Sequence, residues 1–187
     1  MILSFESLRN RSKALSHFIE IAKELRQLQN FDGVMGVIAG LTMSPVARLK
    51  FSKLSISDQL LSFIDELEAS MDPSHSWKLY RNTLRSCTGP TVPYLGVYLT
   101  DLTFIEDGNP DFQNATDGTK LINFKKRELV YNVLQEIQIH QAQQYPIEPK
   151  EPIASYLRYL PHLGESSLYD ISLQREPRNA TIKDLIS

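Results

Sequence analysis

Few side chains in this sequence have the neighbours that nucleophilic catalysis requires. The single cysteine, Cys87, precedes the turn sequence Thr88-Gly89-Pro90, and no histidine lies close to it along the chain. A cysteine nucleophile needs an adjacent base, so we interpret Cys87 as a small, buried apolar residue at a helix end. The motif Gly-x-Ser-x-Gly, which carries the serine of many hydrolases, does not occur. No constellation of residues therefore supports a hydrolase.

The histidines are scattered through the chain and offer little to a metal ion. They are His17, His75, His140 and His162. His75 follows Asp72 at a three-residue spacing that metal ligands can use, but Pro73 lies between the two. A plain turn is the simpler interpretation, and a metal site is the alternative. We predict no metal site and no cofactor.

Two groups of charged residues could contact a partner. The basic triplet Lys125–Arg127 reads most simply as the solvated first turn of a helix, and the alternative is a site for phosphate or for an acidic protein surface. Asp107 stands in the sequence Asp107-Gly108-Asn109-Pro110, which ends a helix. Taken alone, its carboxylate belongs to a turn. From the chemistry of these residues alone we infer only a helical domain with a binding surface.

Composition places the chain among ordinary globular domains. Its 187 residues contain 20 Lys and Arg against 22 Asp and Glu, and 42% are apolar. This balance excludes a disordered tail and a polybasic module for nucleic acid. The longest apolar run, residues 33–43, has about half the length that a bilayer span needs. With no signal-peptide pattern at the start, we predict a soluble, cytoplasmic protein.

Helical periodicity runs through almost the whole chain, and no segment alternates with period two. An apolar stripe repeats every three or four residues from Leu15 to Leu28, and further helices are predicted over 34–42, 95–107 and 121–144. A polar loop with a turn at Asp117-Gly118 separates the last two. We predict an all-α fold, a single irregular multi-helix domain of roughly eight to ten helices.

Nine segments of the sequence follow one another in the order and at the spacing of a known family. They are Phe18–Ala22, Leu28–Met35, Ala39–Leu41, Ser44–Leu49, Tyr80-Arg81, Pro90–Pro110, Leu121–Arg127, Ser167–Leu173 and Glu176–Arg178. Together they resemble the catalytic domain of the Ras-family guanine-nucleotide exchange factors, the RasGEF domain. The resemblance runs from about Leu8 to Arg178, so the chain, residues 1–187, is expected to be a partial domain of this kind.

The resemblance implies an exchange factor that makes and breaks no covalent bond. Such domains bind a Ras-family small GTPase and expel its nucleotide with a protruding helical hairpin, here predicted from about Pro93 to Gln144. A factor that prefers the nucleotide-free GTPase must, by linkage, weaken nucleotide binding by the same factor. The expected partner is therefore the GTPase. We expect no contact with nucleic acid, and contact with membranes only through recruitment to the GTPase.

The resemblance also implies roles for individual residues. Thr103 would enter the space of the magnesium ion, and Asp107 would replace a phosphate at the phosphate-binding loop of the GTPase. A carboxylate suits that place because it accepts the hydrogen bonds that phosphate oxygens vacate. The family usually has Glu there, one methylene longer than Asp107. Further contacts to the GTPase are implied for Thr42, Trp77, Thr100 and Asn109.

Two other departures from the family favour an alternative function. Thr42 stands where the family usually has Asn, and a hydroxyl lacks the donor pair of an amide. We also expect the early helices and the accessory helical domain of the family to be missing, which would expose Phe18, Ile21 or Val34 and lower solubility. Trp77 could equally pack with Tyr80 and Leu84. The alternative is a non-catalytic GTPase-binding or scaffold protein derived from such a domain.

Overall fold

The computed structural model describes residues 1–161 and 163–186, and within them the predicted all-α fold is confirmed. After a 3-10 turn at Ile2–Ser4, the described chain forms eleven α-helices and two short strands. The helices are α1 Leu8–Gln27, α2 Phe31–Thr42, α3 Ser44–Ala47, α4 Lys50–Lys53, α5 Asp58–Ser70, α6 Ser74–Ser86, α7 Leu95–Gly108, α8 Phe124–Gln141, α9 Glu151–Arg158, α10 Glu165–Arg175 and α11 Ile182–Ile186. None of them is both long and apolar enough to cross a membrane.

The core forms around α1, which packs against α2, α4 and α5. Leu15, Ile19 and Ala22 of the predicted stripe are all buried. Helix α2 begins at Phe31, three residues before its predicted start, because the Asn30 side chain accepts a hydrogen bond from the Gly33 amide at 2.9 Å. An amide oxygen at this position satisfies a donor that the first helical turn leaves free.

The expectation that Val34 would be exposed is wrong. Val34 has no accessible surface and belongs to the same hydrophobic core as Ile19 and Ala22, on the neighbouring helix. Phe18 and Ile21 are half-buried. The sequence could not reveal this because the burial of Val34 depends on the packing of α2 against α1.

Helices α7 and α8 pack against each other and form the helical hairpin, residues 95–141. Where the sequence predicted a polar loop, Phe112–Asn114 (β1) pairs antiparallel with Lys120–Ile122 (β2). The predicted turn at Asp117-Gly118 is confirmed, with Gly118 in the left-handed region at φ +85°. Because β2 takes up the preceding residues, α8 begins at Phe124 rather than at Leu121.

Both ends of the helical hairpin return to the turn between α1 and α2. Before α7, the Phe31 amide donates to the Val92 carbonyl at 2.8 Å, and the Val92 amide donates to the Gln29 carbonyl at 3.0 Å. After α8, the Tyr145 hydroxyl donates to the Leu28 carbonyl. Residues 28–31 therefore hold the base of the helical hairpin.

A buried group of polar residues, the core cluster, ties the end of α10 to α1 and α4. It consists of Arg11, Ser52 and Glu176, each at most 2% exposed. The Glu176 carboxylate accepts hydrogen bonds from the Ser52 hydroxyl at 2.6 Å and from the Ser52 and Phe51 amides at 2.9 and 3.0 Å. The Arg11 guanidinium donates to the Ser52 hydroxyl at 3.1 Å and lies 4.0 Å from Glu176. Buried charges persist when they are paired in this way.

Candidate functional site

Helix α7 is buried on one side only, and its other side exposes both apolar and polar residues to solvent, which we call its bare face. Val97 and Tyr98 are buried against the rest of the molecule. Leu99, by contrast, is 64% exposed, and Phe104, further along the helix, is 72% exposed. Clustered exposed apolar side chains mark interaction sites. We therefore take the bare face of α7 as the candidate site.

Three of the predicted site residues share this face. Thr100, Thr103 and Asp107 follow one another at spacings of three and four, which puts them on one stripe of a helix. All three are exposed. The hydroxyls of Thr100 and Thr103 donate to the carbonyls of Gly96 and Leu99, at 2.8 and 2.9 Å. Each hydroxyl has thereby used its donor, and each can still accept a hydrogen bond.

The end of α7 distinguishes two neighbouring carboxylates. The Asp107 carboxylate makes no hydrogen bond or ion pair with any described residue and is exposed. The Glu106 carboxylate instead lies 2.9 Å from the Lys126 ammonium. Asn109, also predicted to face the GTPase, donates from its amide to the Ile105 carbonyl at 3.0 Å and is half-buried. Asn109 thus satisfies a free carbonyl of the last helical turn, which leaves its side-chain oxygen for a partner.

The other two predicted contacts lie outside the helical hairpin. Thr42, at the end of α2, is exposed, and its hydroxyl donates to the Ile38 carbonyl at 2.9 Å. Trp77 is half-buried, and its ring lies 6.2 Å from that of Tyr80 and 5.5 Å from that of Tyr94, between centroids. The predicted packing of Trp77 with Tyr80 is thus confirmed. A role for Thr42 or Trp77 in binding stays a prediction.

Tyr80 connects α6 to the beginning of α7. It is 1% exposed, and its hydroxyl accepts a hydrogen bond from the Tyr94 amide at 2.8 Å. The next residue, Arg81, donates to both carboxylate oxygens of Asp101 at 2.7 and 2.8 Å. Burial raises the pKa of the Tyr80 phenol well above its usual range, so the hydroxyl stays protonated. The sequence predicted Tyr80 as a packing partner of Trp77 and as part of a family segment, but it predicted neither of these two contacts.

The basic triplet Lys125–Arg127 agrees only in part with the prediction of a solvated turn. Lys125 and Arg127 are exposed and pair with Glu128 and Asp111 at 2.8 and 2.7 Å. Lys126 is buried, with 2% of its side chain exposed, so the prediction is wrong for this residue. Its ammonium contacts the carboxylates of Glu106 and Asp111. The sequence could not reveal this burial, because it depends on contacts between segments that are distant along the chain.

The described residues do not supply the groups of a metal or thiol site. Asp72 accepts a hydrogen bond from the Ser74 amide at 2.6 Å, as in a turn, and residues 75–77 take left-handed backbone angles. No group of three or more His, Cys, Asp or Glu in the described part could hold a metal ion, and His162 lies outside that part. Cys87 is half-buried, and burial raises the pKa of its thiol, which disfavours the reactive thiolate.

Comparisons with known proteins agree with the family segments. The RasGEF domain matches residues 1–128. Ras guanine nucleotide exchange factor B of Dictyostelium discoideum is 42% identical over 185 residues, which cover 96% of this chain and 12% of the relative. Exchange factor K of the same organism is 40% identical, over 99% of this chain and 12% of the relative. Ras-specific guanine nucleotide-releasing factor 2 of Mus musculus is 35% identical, over 95% of this chain and 15% of the relative.

This chain belongs to the RasGEF domain family. The family match covers more than half of the chain and includes α7 and the beginning of α8. The chain spans about an eighth of the length of the first relatives it matches. Exchange factors of this family catalyse nucleotide release without forming or breaking a covalent bond.

Proposed function

We propose that this chain promotes the release of guanine nucleotide from a Ras-family small GTPase. The observation that carries the proposal is the bare face of α7, where apolar side chains stay exposed beside Thr103 and Asp107. We propose the cytoplasm as the place of action, with membranes reached only through the GTPase. No nucleic acid takes part.

In this proposal the helical hairpin enters beside the nucleotide. Thr103 is small, and it takes the space of the magnesium ion. The Asp107 carboxylate accepts the hydrogen bonds that the phosphate leaves, a task that suits an unpaired carboxylate on an exposed helix end. Leu99 and Phe104 flank both residues and cover the contact with apolar surface.

The remaining predicted residues orient the GTPase. Thr100 and Asn109 lie on or beside the inserted helix, whereas Thr42 and Trp77 contact the GTPase from the body of the domain. The free energy comes from differential binding, because only contacts that are stronger with the nucleotide-free GTPase weaken nucleotide binding. Each 1.4 kcal/mol of such preference, on the order of one good hydrogen bond to a charged group, weakens it about tenfold.

The test is the release of a fluorescent GDP from a panel of Ras-family GTPases, with and without this chain. We expect acceleration with at least one GTPase, and its loss when Asp107→Ala is combined with Thr103→Ala. Asp65→Ala is the matched control, because Asp65 is an exposed acidic residue of α5. Unaltered release by the folded wild-type chain with every GTPase of the panel would refute the proposal.

The alternative is a protein that binds the GTPase without releasing its nucleotide. It is favoured by Thr42, whose hydroxyl donates within its own helix, and by the short side chain of Asp107. Capture of the nucleotide-free and the loaded GTPase with equal affinity would support it, because equal affinities shift no equilibrium.

A further inference from the structure

The tip of the helical hairpin is held together by one buried ammonium group. The Lys126 ammonium lies 2.9 Å from the Glu106 carboxylate and 3.0 Å from the Asp111 carboxylate, and it donates to the Glu106 carbonyl at 3.3 Å. Only 2% of its side chain is exposed, against 61% for Glu106 and 44% for Asp111. We call Glu106, Asp111 and Lys126 the tip cluster.

Lys126 meets the end of α7 at the place where a helix lacks partners. The last carbonyls of a helix have no intrahelical donor, and a cation there also interacts favourably with the helix dipole. Lys126 supplies both the donor and the charge from the first turn of α8. Nearby, Asn123 caps α8 and donates to the Pro110 carbonyl at 2.8 Å. The two helix ends therefore fix each other.

The same contact separates the roles of two adjacent carboxylates. Neighbouring residues on a helix differ by about 100° in direction, so Glu106 and Asp107 point to different sides. Lys126 neutralises Glu106 and directs it towards α8, while Asp107 has no partner among the described residues. One carboxylate is used inside the tip, and the other remains free for a partner.

We propose that Lys126 is a positioning residue: it fixes the last turn of α7 through Glu106 and so presents Asp107 as the one carboxylate that reaches the GTPase. The part of this proposal that concerns Asp107 rests on the proposed function. The part that concerns the order of the tip does not, and it can be measured without a GTPase.

The first experiment measures amide hydrogen exchange in the whole chain. In Lys126→Met, which keeps most of the length of the side chain and removes its charge, we expect exchange of the amides of residues 105–109 and 111 to rise about tenfold, as for a local opening. Lys125→Met is the matched control, because Lys125 is the exposed neighbour on the same helix turn. It should leave these amides within about twofold of the wild type. Equal protection of the tip in both variants would overturn the proposal.

A second variant covers the case in which Lys126→Met fails to fold. Glu106→Gln combined with Asp111→Asn removes the charge of both carboxylates, which are exposed enough to be replaced without opening the core. We expect the same loss of protection over residues 105–111. A folded double variant whose tip stays protected would overturn the proposal.

The second experiment measures nucleotide release as a function of the concentration of this chain. For Lys126→Met we expect the maximal rate to fall about tenfold, as for a misplaced reacting group, with little change in the half-saturating concentration. Adding Glu106→Gln to Lys126→Met should restore part of the rate, because no uncompensated carboxylate then competes with Asp107. A structural defect alone predicts no such recovery. Absence of recovery in the folded double variant would refute the role in presenting Asp107.

The two experiments separate the two proposals. If the wild-type chain releases no nucleotide from any GTPase, the proposed function fails, and hydrogen exchange still decides whether Lys126 orders the tip. If release is fast and Lys126→Met changes neither the tip amides nor the maximal rate, only the inference about Lys126 fails.

Discussion

The core cluster and the tip cluster join a cation to carboxylates in two different ways. In the core cluster the carboxylate is as deeply buried as the cation, with 3% of the Glu176 side chain exposed against 1% for Arg11. In the tip cluster only Lys126 is buried, while Glu106 and Asp111 keep about half of their side chains in solvent. Breaking a pair that is buried on both sides leaves a charge with no water to solvate it. The core cluster should therefore govern the stability of the fold, and the tip cluster the shape of a surface.

The largest effect is expected from Glu176→Ala, which removes the acceptor of three hydrogen bonds and the partner of Arg11. We expect the free energy of unfolding in urea to fall by roughly 3 kcal/mol, the order found for broken buried pairs. Glu24→Ala, on the exposed side of α1, is the control. A loss below about 1 kcal/mol, typical of surface pairs, would mean that the two clusters do not differ.

Leu99→Ala should act on binding and spare the fold, because Leu99 is already 64% exposed. We expect affinity for the nucleotide-free GTPase to drop by roughly 1–2 kcal/mol, as for an interface residue of moderate importance. Leu54→Ala removes an equally exposed leucine, 67% accessible, at the end of α4. Calorimetric titration of both variants gives the comparison, and equal affinities would exclude the bare face of α7 from the interface.

Asp107→Glu restores the side-chain length that is usual in the family. If the Asp107 side chain is too short to make its full contact with the GTPase, the maximal rate of nucleotide release should rise about fivefold in this variant. This is the gain expected from about one net hydrogen bond. Asp65→Glu makes the same change on α5 and should have no effect. An unchanged or lower rate with Asp107→Glu would show that the tip already places its carboxylate at the right depth.

The smallest effect concerns pH and is confined to the tip cluster. The hydrogen bond from Lys126 lowers the pKa of the Asp111 carboxyl, and the bond to Glu106 raises the pKa of Lys126. The contribution of Asp111 to the stability of the tip is therefore present above the ordinary pKa of this carboxyl, and it is lost as pH falls through the lowered pKa. The contribution of Lys126 to the stability of the tip is present below the ordinary pKa of this ammonium, and it is lost only as pH rises through the raised pKa. The tip should keep its order across neutral pH.

Amide exchange over residues 105–111, corrected for the intrinsic pH dependence, tests this expectation. Protection should be constant between about pH 5 and 9 and should decline below about pH 4, near the ordinary pKa of aspartate. Asp111→Asn should remove most of the acid response. Decline at neutral pH would mean that another group controls the tip.

The parts of the fold that depend on residues close together along the chain could be predicted from the sequence. The stripe of α1 is periodic, and the turn at Asp117-Gly118 has the residues that turns favour. The burial of Val34 and Lys126 could not be predicted, because it depends on residues far away in the chain. The strands β1 and β2 were missed since three residues are too few to show an alternating pattern.

The candidate site followed mainly from the family resemblance, which fixed Thr103 and Asp107 on one helix. What the sequence did not reveal is the state of each side chain. The hydroxyl of Thr103 bonds within α7, and Asn109 caps the same helix. These contacts are short-range, and a helix prediction that includes side-chain donors could have suggested them.

The anchoring of both ends of the helical hairpin at residues 28–31 makes it a cantilever, clamped at one end and free at the other. Helix α7 has 14 residues, and at 1.5 Å per residue it is about 21 Å long. A rotation of about 5° at the clamp therefore displaces the far end by about 2 Å, the scale on which a carboxylate gains or loses a hydrogen bond. Small changes of packing between α1 and α2 would thus be amplified into the position of the tip.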